Sequence, residues 1–575
     1  MRYEDMDLVL YGVDSMFNFV EKYLENRLGS KEIPEAVIKY VDLEEDRNIL
    51  TLKNIKFEKN DANNNIAIGK QKNNKSISNK EAISSPDQKS LNEFPQIAWW
   101  IVVWIYLAWA LLNLKGYFKV AMHKLGIMKH SANEEYFKQK DFVPLYSSFE
   151  SFYTRFLYMC RRDVFERPIC SSPSAKTTIL ERMTKDNGWT FQFTGRKIDV
   201  INVGSYNYLG FAENHGPCAQ AAANAIETQG IAPCSSSLEG GQYHTQKELE
   251  NLVAEFLCVD AAICFSMGFA TNSWNILCLV DKDCLIVSDE KNHASLILGC
   301  RLSKCPIKVF KHNDMKDLEK ILREAILYGN RKDKKYRPYK KILIVVEGIY
   351  SMEGSICPLP EIIALKKKYN CYLYLDEAHS IGALGKNGRG VVEYWSCNPK
   401  DVDIMMGTFT KSFGGVGGYI SGSKTLIAHL RKRSPLVRYS QSLTPATIQQ
   451  VYQSMRIIMG KDGNGQKRIC QLAENVRYFR RKMKKMGFVL YGSDDSPVVP
   501  MLIYFPEHLI NWGRETLKHK IGCVVVSYPA TSMIEARARI CISAAHTKEM
   551  LDTVLQEFSQ IGDEMGLKFS YAVVN

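Results

Sequence analysis

The sequence lacks the short motifs that identify several large classes of protein. None of its 16 cysteines stands in a Cys-x-x-Cys pair, so we predict neither a structural zinc site nor a small disulfide-stapled fold, and no metal. A Gly-x-x-x-x-Gly-Lys-Ser/Thr loop is also absent. That absence argues against the nucleotide-driven helicases, in which an Asp-Glu-Ala-His run like that at 376–379 accompanies such a loop. Zinc-finger spacing and RNP-like motifs are missing, so we expect no nucleic-acid partner.

The N-terminus also lacks a basic start followed by an apolar run, which argues against a secretory signal. The chain has 575 residues, too many for one hydrophobic core, and its 46% hydrophobic and 24% charged residues are typical of globular proteins. Its net charge of +13 suits contact with anionic lipid or use of a phosphorylated substrate. The scattered cysteines predict reduced thiols in a domain that faces the cytosol.

One long apolar run predicts a membrane helix. Residues 95–114 carry no charged side chain, and a helix of that length reaches across a bilayer core of about 30 Å. We expect residues 95–115 to cross the membrane or to lie in one leaflet; a buried core helix is the alternative. Lysines follow closely at positions 115, 119, 124 and 129. By the positive-inside rule, the large C-terminal part faces the cytosol.

Composition divides the remainder into segments. Residues 1–57 form an N-terminal arm, and residues 58–94 form an Asn/Lys/Ser-rich linker. We expect the linker to be disordered, because such polar sequence cannot bury enough apolar surface to offset its ordering entropy. Residues 116–200 form a connecting segment before the catalytic domain at 201–435. Residues 436–575 are helix-rich and then carry short strands, which predicts a smaller α+β domain.

The segment 201–435 has the pattern of an α/β domain. Apolar runs at 261–265, 341–346 and 371–375 alternate with stretches of helical spacing such as 315–327. Repeated β-α units predict a mainly parallel sheet covered by helices on both faces. Ligands of such sheets bind at the carboxyl ends of the strands, and the candidate site residues fall there.

The strongest of these candidates is Lys411. It follows the apolar run 402–406 and two hydroxyl residues, Thr408 and Thr410, and it precedes a glycine cluster at 414–418. Desolvation lowers the pKa of a lysine and favours the neutral amine that Schiff-base chemistry needs. The glycines would let backbone approach a flat group beside that amine. The alternative is a solvated lysine followed by a flexible turn.

Other residues supply what a pyridoxal phosphate site needs. Asp376 follows a buried strand and could keep a ring nitrogen protonated. His293 follows another strand and could stack on a planar cofactor, or be an ordinary core histidine. The strand-to-helix turn at 266–272 offers backbone N–H groups to a phosphate. Arg537 and Arg539 share one strand face, so one of them could bind a carboxylate; a solvated face is the alternative.

Longer motifs carry a resemblance to a known family. The chain resembles the α-oxoamine synthases, a family of fold-type I pyridoxal phosphate enzymes, over about 116–570. Within that family it is most similar to the lysine-bearing catalytic subunits of eukaryotic serine palmitoyltransferases. The matching runs are 140–145, 204–212, 346–354, 374–383, 407–414 and 543–548. Relatives that use glycine typically carry Gly where this chain has Thr410.

The resemblance implies roles for particular residues. Lys411 matches the lysine that holds pyridoxal 5'-phosphate covalently, and Asp376 matches the partner of its ring nitrogen. His293 matches a ring-stacking residue, and Arg539 the residue that meets the substrate carboxylate, with Asn207 near the same group. The remaining implied contacts with the cofactor come from His379, Gly268, Phe269, Thr408 and Thr410.

The resemblance also implies an activity and its setting. It implies the decarboxylating condensation of L-serine with palmitoyl-CoA to 3-ketodihydrosphingosine, at the endoplasmic reticulum membrane. The alternative is another α-oxoamine synthase that uses glycine or alanine. A lysine-lacking subunit would be the heterodimer partner, with the active site at the interface. The chain departs from the family at Ser532, where relatives commonly carry proline, so a substrate-closing loop would be less rigid.

Overall fold

A computed structural model of the chain describes residues 95, 97–127, 138–139, 141–143, 152–330 without 187, and 336–569 without 464. The predicted arm at 1–57 and the predicted linker at 58–94 lie outside these residues. Those described belong to one unit that spans Asp87–Asn575. The boundaries expected inside this unit, between 200 and 201 and between 435 and 436, stay predictions.

The apolar run forms a helix, α1, at Trp99–Lys124. It is longer than the 95–115 expected, because the segment that carries Lys115, Lys119 and Lys124 continues the helix. Its stretch Trp99–Met122 is long and apolar enough to cross a membrane, which by itself is weak evidence of membrane association. Most of this apolar stretch is not buried within the protein.

A seven-stranded sheet forms the centre of the fold, in the order β3-β9-β8-β7-β6-β4-β5. Strands β4 to β8 pair in parallel, and β9 pairs antiparallel with both β3 and β8. This confirms the predicted α/β class with a mainly parallel sheet. Its strands are β3 (Ala261–Phe265), β4 (Leu285–Asp289), β5 (Ile307–Phe310), β6 (Ile342–Glu347), β7 (Tyr372–Asp376), β8 (Ile404–Thr408) and β9 (Gly418–Gly422).

The inner strands are buried along their whole length, which explains their continuous apolar sequence. Strand β9 is different, because glycines stand at both of its ends and its sequence does not show the continuous apolar run of the inner strands. Gly414 and Gly417 have φ angles of +63° and +97° and turn the chain from β8 into β9. A Cβ at Gly417 would collide with the backbone oxygen of Phe265. The glycines therefore permit a tight return beside β3 as well as access to the site.

Helices pack on both faces of the sheet and form most of the remainder of the described chain. After α1 they are α2 (Arg162–Phe165), α3 (Pro217–Gln229), α4 (His244–Leu257), α5 (Gly268–Ser273), α6 (Ile276–Leu279), α7 (Ala294–Leu302), α8 (Met315–Tyr328), α9 (Leu359–Lys368), α10 (Val391–Tyr394), α11 (Lys424–Arg433), α12 (Pro435–Tyr439), α13 (Pro445–Ile458), α14 (Gly465–Lys485), α15 (Pro506–Lys518) and α16 (Lys548–Glu564). A short π-helical turn, Thr154–Tyr158, precedes α2.

Two three-stranded sheets complete the fold. One has the order β1-β2-β11 and the other the order β10-β13-β12. The hairpin of β1 and β2 was not predicted from the sequence, since most of its residues are only partly buried or exposed. The strands are β1 (Lys176–Met183), β2 (Gln192–Asn202), β10 (Val498–Leu502), β11 (Ile521–Gly522), β12 (Val524–Val526) and β13 (Arg537–Cys541).

Candidate active site

Strand ends bring the candidate charged residues together. Asp376 is the last residue of β7, and Lys411 lies three residues beyond the end of β8, the neighbouring parallel strand. Burial lowers the pKa of the Lys411 amine to about 8, while the carboxylates of Asp376 and Glu347 act in the opposite direction. The amine is therefore partly neutral at physiological pH, the form in which it is a nucleophile and a base.

Asp376 is held by a buried hydrogen-bond network. Its Oδ2 accepts a hydrogen bond from Nδ2 of Asn272 at 2.7 Å, and its Oδ1 accepts from the backbone N–H of Ala378 at 2.8 Å. Asn272 also donates to Oγ of Ser295 at 2.9 Å and accepts from the hydroxyl of Tyr374 at 2.7 Å. The network fixes the carboxylate at the edge of the sheet. Asn272 lay inside the turn noted in the sequence, but its contact depends on how α5 faces β7, which no sequence pattern gives.

His293 immediately precedes α7 and is connected to the same network. Its Nδ1 lies 2.7 Å from Oγ of Ser295, and its backbone N–H donates to Oε1 of Glu347. Burial lowers the pKa of the imidazole, with Asp376 opposing and Lys411 reinforcing the shift. The ring also meets Phe269 edge to face, with centroids 5.9 Å apart. The histidine is therefore neutral and oriented at the edge of the site.

Glu347 is a site residue that the sequence analysis missed. It ends β6 just as Asp376 ends β7, and the two are partners in the register of these strands. It is buried, and burial together with Asp376 raises the pKa of its carboxyl well above the usual value. Its position after a continuous apolar strand was the signal that could have identified it, since the same signal identified Asp376.

His379 lies three residues beyond the end of β7 and is buried beside two tyrosines. Its Nδ1 lies 2.8 Å from the hydroxyl of Tyr208, and the ring of Tyr206 packs edge to face on it at 4.8 Å. Burial, with Lys411 and Arg539 reinforcing it, lowers the pKa of the imidazole well below the usual value. His379 is therefore neutral. Both tyrosines belong to the 204–212 motif, yet neither was named as a site residue.

The two arginines of β13 have different environments, which answers a question that the sequence left open. Arg537 is fully buried and donates to the carbonyls of Met352 and Glu535 and to the Glu535 carboxylate at 2.7 Å. Arg539 stacks over the ring of Tyr206 at 4.4 Å, and its Nε is buried without a partner among the described residues. Arg539 therefore has hydrogen-bonding capacity available for a carboxylate, and Arg537 has much less.

The side-chain amide of Asn207 is occupied by hydrogen bonds to backbone. Its Nδ2 donates to the carbonyl of Pro173 at 3.1 Å, and its Oδ1 accepts from the N–H of Ala212 at 3.2 Å. Both ends of the amide thus hold backbone, while the neighbouring Tyr206 faces Arg539 and Lys411. The contact of Asn207 with a substrate stays a prediction.

A cleft of about 580 Å³ lies at the other edge of the central sheet. Val259, Leu343, Tyr372 and Ile404 are among its lining residues, and all are near the starts of strands β3, β6, β7 and β8. It contains none of the candidate catalytic side chains. Because ligands of parallel sheets bind at the carboxyl ends of strands, we take the Lys411 edge as the candidate site.

Comparison with known proteins agrees with this geometry. The model of the family "Aminotransferase class I and II" matches residues 198–558. Serine palmitoyltransferase 2 of Caenorhabditis elegans is 59% identical over 485 residues, which cover 84% of this chain and 87% of that protein. The chain belongs to the serine palmitoyltransferase family. Serine palmitoyltransferase 3 of Homo sapiens is 51% identical over 84% of this chain and 88% of its own length.

Solved structures of the serine palmitoyltransferase family share the fold. A structure of SPT with a PLP internal aldimine is 30% identical, with a TM-score of 0.61, and covers 69% of this chain and 93% of its own. A variant serine palmitoyltransferase from S. paucimobilis, with a bound PLP-myriocin aldimine, has a TM-score of 0.64 at 28% identity. It covers 74% of this chain and all of its own. The fold-type I architecture expected from the sequence is thereby confirmed.

The residues at the Lys411 edge fit the pyridoxal phosphate of the serine palmitoyltransferase family. Oγ1 of Thr408 is buried without a partner among the described residues, so it is available to a ligand oxygen. A Cβ at Gly268 would lie 3.1 Å from Cγ2 of Thr408 and 3.3 Å from the carbonyl oxygen of Gly417, so glycine keeps this turn open. Phe269 and Thr410 are exposed beside it. A lysine amine, a carboxylate and unpaired polar groups thus converge as this cofactor requires.

Proposed function

We propose that this chain is the catalytic subunit of a serine palmitoyltransferase. It would condense L-serine with palmitoyl-CoA to give 3-ketodihydrosphingosine, CoA and CO₂. A carbon–carbon bond forms between Cα of serine and the acyl carbon. The thioester C–S bond breaks, with the sulfur leaving as CoA, and the bond from Cα to the carboxylate breaks to release CO₂. Bound pyridoxal phosphate supplies the electron sink that stabilises the carbanion at Cα.

One observation supports this proposal above the others: a single lysine amine with a pKa of about 8 lies among Asp376, Glu347 and Arg539. An exposed lysine, with a pKa near 10.4, would be almost wholly protonated at neutral pH. The Lys411 amine can instead accept the Cα proton of serine and return it. The buried amine at this strand end is therefore the group best suited to act as the base.

The proposed cofactor contacts follow from the side chains around this lysine. Asp376 would hold a proton on the ring nitrogen, since a fixed carboxylate favours the protonated form of a partner. His293, neutral and oriented by Ser295, would stack on the ring. His379 would hydrogen bond to the phenolic oxygen, with Tyr208 orienting its Nδ1. Gly268, Phe269, Thr408 and Thr410 would hold the phosphate and phenolic oxygen, and Lys411 would hold the cofactor covalently at its aldehyde carbon.

Arg539 would bind the serine carboxylate. Its guanidinium lies over Tyr206, which restricts its movement, and its Nε has no partner among the described residues. A planar guanidinium binds a carboxylate with two parallel hydrogen bonds, so it would fix the orientation of Cα relative to Lys411. We propose Asn207 as a second residue near the serine carboxylate, although both ends of its amide already bond to backbone.

The proposed setting is the endoplasmic reticulum membrane, with the catalytic part in the cytosol. The apolar exposed face of α1 and the lysines within and beyond it support membrane association. Palmitoyl-CoA and the product are amphiphiles, so a site near lipid shortens their transfer. We propose a heterodimer with the lysine-lacking long-chain-base subunit, with both chains contributing to the interface that encloses the site.

The test is to purify the chain with that partner and assay labelled L-serine against palmitoyl-CoA. We expect serine-dependent release of CoA and a labelled long-chain ketone. Lys411→Ala should lose turnover and the visible absorbance of the bound cofactor, whereas Lys424→Ala, an exposed lysine in α11, should keep both. Full activity in Lys411→Ala would refute the proposal. Faster release of CoA with glycine or alanine than with serine would assign the chain to another reaction of the α-oxoamine synthases.

A further inference from the structure

The inner face of α1 is packed against the catalytic part of the chain. Ile105 and Trp109 are buried with Leu157, Leu502 and Tyr504, whereas Trp104 is 55% exposed. Near the other end of α1, a Cβ on Gly116 would lie 2.6 Å from the ring of Phe152. The helix is therefore fixed to the protein along one face, and its tryptophans are divided between that face and the exposed one.

Trp109 makes two contacts with the loop that joins β12 to β13. Its indole Nε1 donates to the carbonyl of Met533 at 3.3 Å. Its ring meets that of Tyr528 edge to face, with centroids 6.0 Å apart. From another side, the hydroxyl of Tyr153 donates to the carbonyl of Tyr528. The loop, residues 527–536, is thus held by α1 and by Tyr153.

The same loop leads directly into the strand of the site arginine. Glu535 near its end pairs with Arg537 at 2.7 Å and with Lys291 at 3.2 Å. Arg537 also donates to the carbonyl of Met352, whose sulfur lies 3.9 Å from Nη1 of Arg539. A displacement of the loop therefore reaches Arg539 along the strand and through Met352.

We propose that Trp109 is a positioning residue: it fastens the 527–536 loop and so sets Arg539 for the substrate carboxylate. This inference rests on the proposed function. A tryptophan with a merely structural role would lower stability when truncated and leave the use of serine unchanged. A positioning role predicts a selective rise in the KM for serine, because a displaced Arg539 binds the carboxylate less tightly in the ground state and the transition state alike.

The test compares Trp109→Ala with Trp104→Ala, which removes the same side chain from the exposed face of α1. Both are made in the full chain, purified with its partner in detergent so that membrane binding does not enter. We expect Trp109→Ala to raise the KM for serine about fivefold or more, with kcat changed less than about twofold. Trp104→Ala should match the parent. Equal KM values for serine in the two variants, or a rise confined to palmitoyl-CoA, would overturn the proposal.

Amide hydrogen exchange supplies a readout that does not depend on turnover. Residues 527–536 should exchange faster in Trp109→Ala and at the parent rate in Trp104→Ala. If Trp109→Ala fails to fold, Trp109→Phe and Tyr153→Phe replace it, because each removes one hydrogen bond to the loop and keeps an aromatic ring. Both variants should raise the KM for serine. An unchanged KM for serine in both would overturn the inference. Failure of the proposed function would be distinguishable from failure of this inference, because the parent complex itself would then show no serine-dependent turnover.

Discussion

At the scale of single residues, the proposed chemistry depends on the protonation of one amine. Burial lowers the pKa of Lys411 to about 8, so its neutral fraction rises as pH rises through that value. We expect cofactor-free chain, mixed with pyridoxal phosphate and borohydride, to be labelled at Lys411 with a midpoint near pH 8. Labelling is read by peptide mass, with exposed Lys424 as the internal control. A midpoint for Lys411 above about 10, as for a solvated lysine, would contradict the burial that we describe.

Asn272 is a second residue on which the site depends. Asn272→Ala removes the donor that lies 2.7 Å from the Asp376 carboxylate. Because loss of a hydrogen bond to a buried charge costs about 1.5–3 kcal/mol, kcat/KM should fall about ten- to a hundredfold. Asn275→Ala is the matched control, since that buried amide donates to the carbonyl of Thr271 instead. Steady-state kinetics and cofactor retention on dialysis check both variants; equal losses would show that Asn272 acts only through folding.

At the scale of elements, the turn between β8 and β9 can be tested by comparing two glycines. Gly417 and Gly463 have almost the same φ, +97° and +98°, but only a Cβ at Gly417 would meet other atoms. Gly463→Ala should therefore cost about 1 kcal/mol of unfolding free energy through backbone strain alone. Gly417→Ala should cost about 2–4 kcal/mol, because Phe265 must also move. Denaturant titration measures both, and equal costs would contradict the packing described for β9.

The same elements show what the sequence could predict. Buried parallel strands are continuous apolar runs, so β4, β6, β7 and β8 were recognisable, and with them the positions of Asp376 and Lys411. The strand β9 and the hairpin of β1 and β2 were not, because glycine-rich or half-exposed strands lack that pattern.

Side-chain partners were the least predictable feature of the site. The alternation of side chains along a strand correctly predicts that Arg537 and Arg539 lie on the same face. It does not predict which of the two guanidinium groups already has hydrogen-bond partners. That difference comes from Glu535, Met352 and Tyr206, which lie on three separate segments. Contacts between segments far apart in sequence depend on the whole packing, which local patterns do not contain.

At the scale of the whole molecule, the exposed face of α1 predicts how the protein meets lipid. Trp100, Trp104 and Leu111 are 53%, 55% and 56% exposed. Replacing all three by glutamine should lower binding to phospholipid vesicles about tenfold or more, because this apolar surface no longer enters the interface. Kinetics in detergent should be unchanged. The control replaces Ile169, Met183 and Phe193 by glutamine; these residues are similarly exposed on or beside the β1–β2 hairpin. If vesicle flotation falls equally in the two triple variants, a role specific to α1 is contradicted.

The contact between Trp109 and Met533 joins positions 424 residues apart in the chain. A ribosome adds about 5–20 residues per second, so the second partner emerges roughly 20–85 seconds after the first. During that interval the part of the helix that will contact the 527–536 loop and β10 is uncovered. A lipid surface beside the translating ribosome would be suited to cover that part until synthesis nears completion. In this molecule the membrane would then first protect the helix while the chain folds, before it takes part in the use of any substrate.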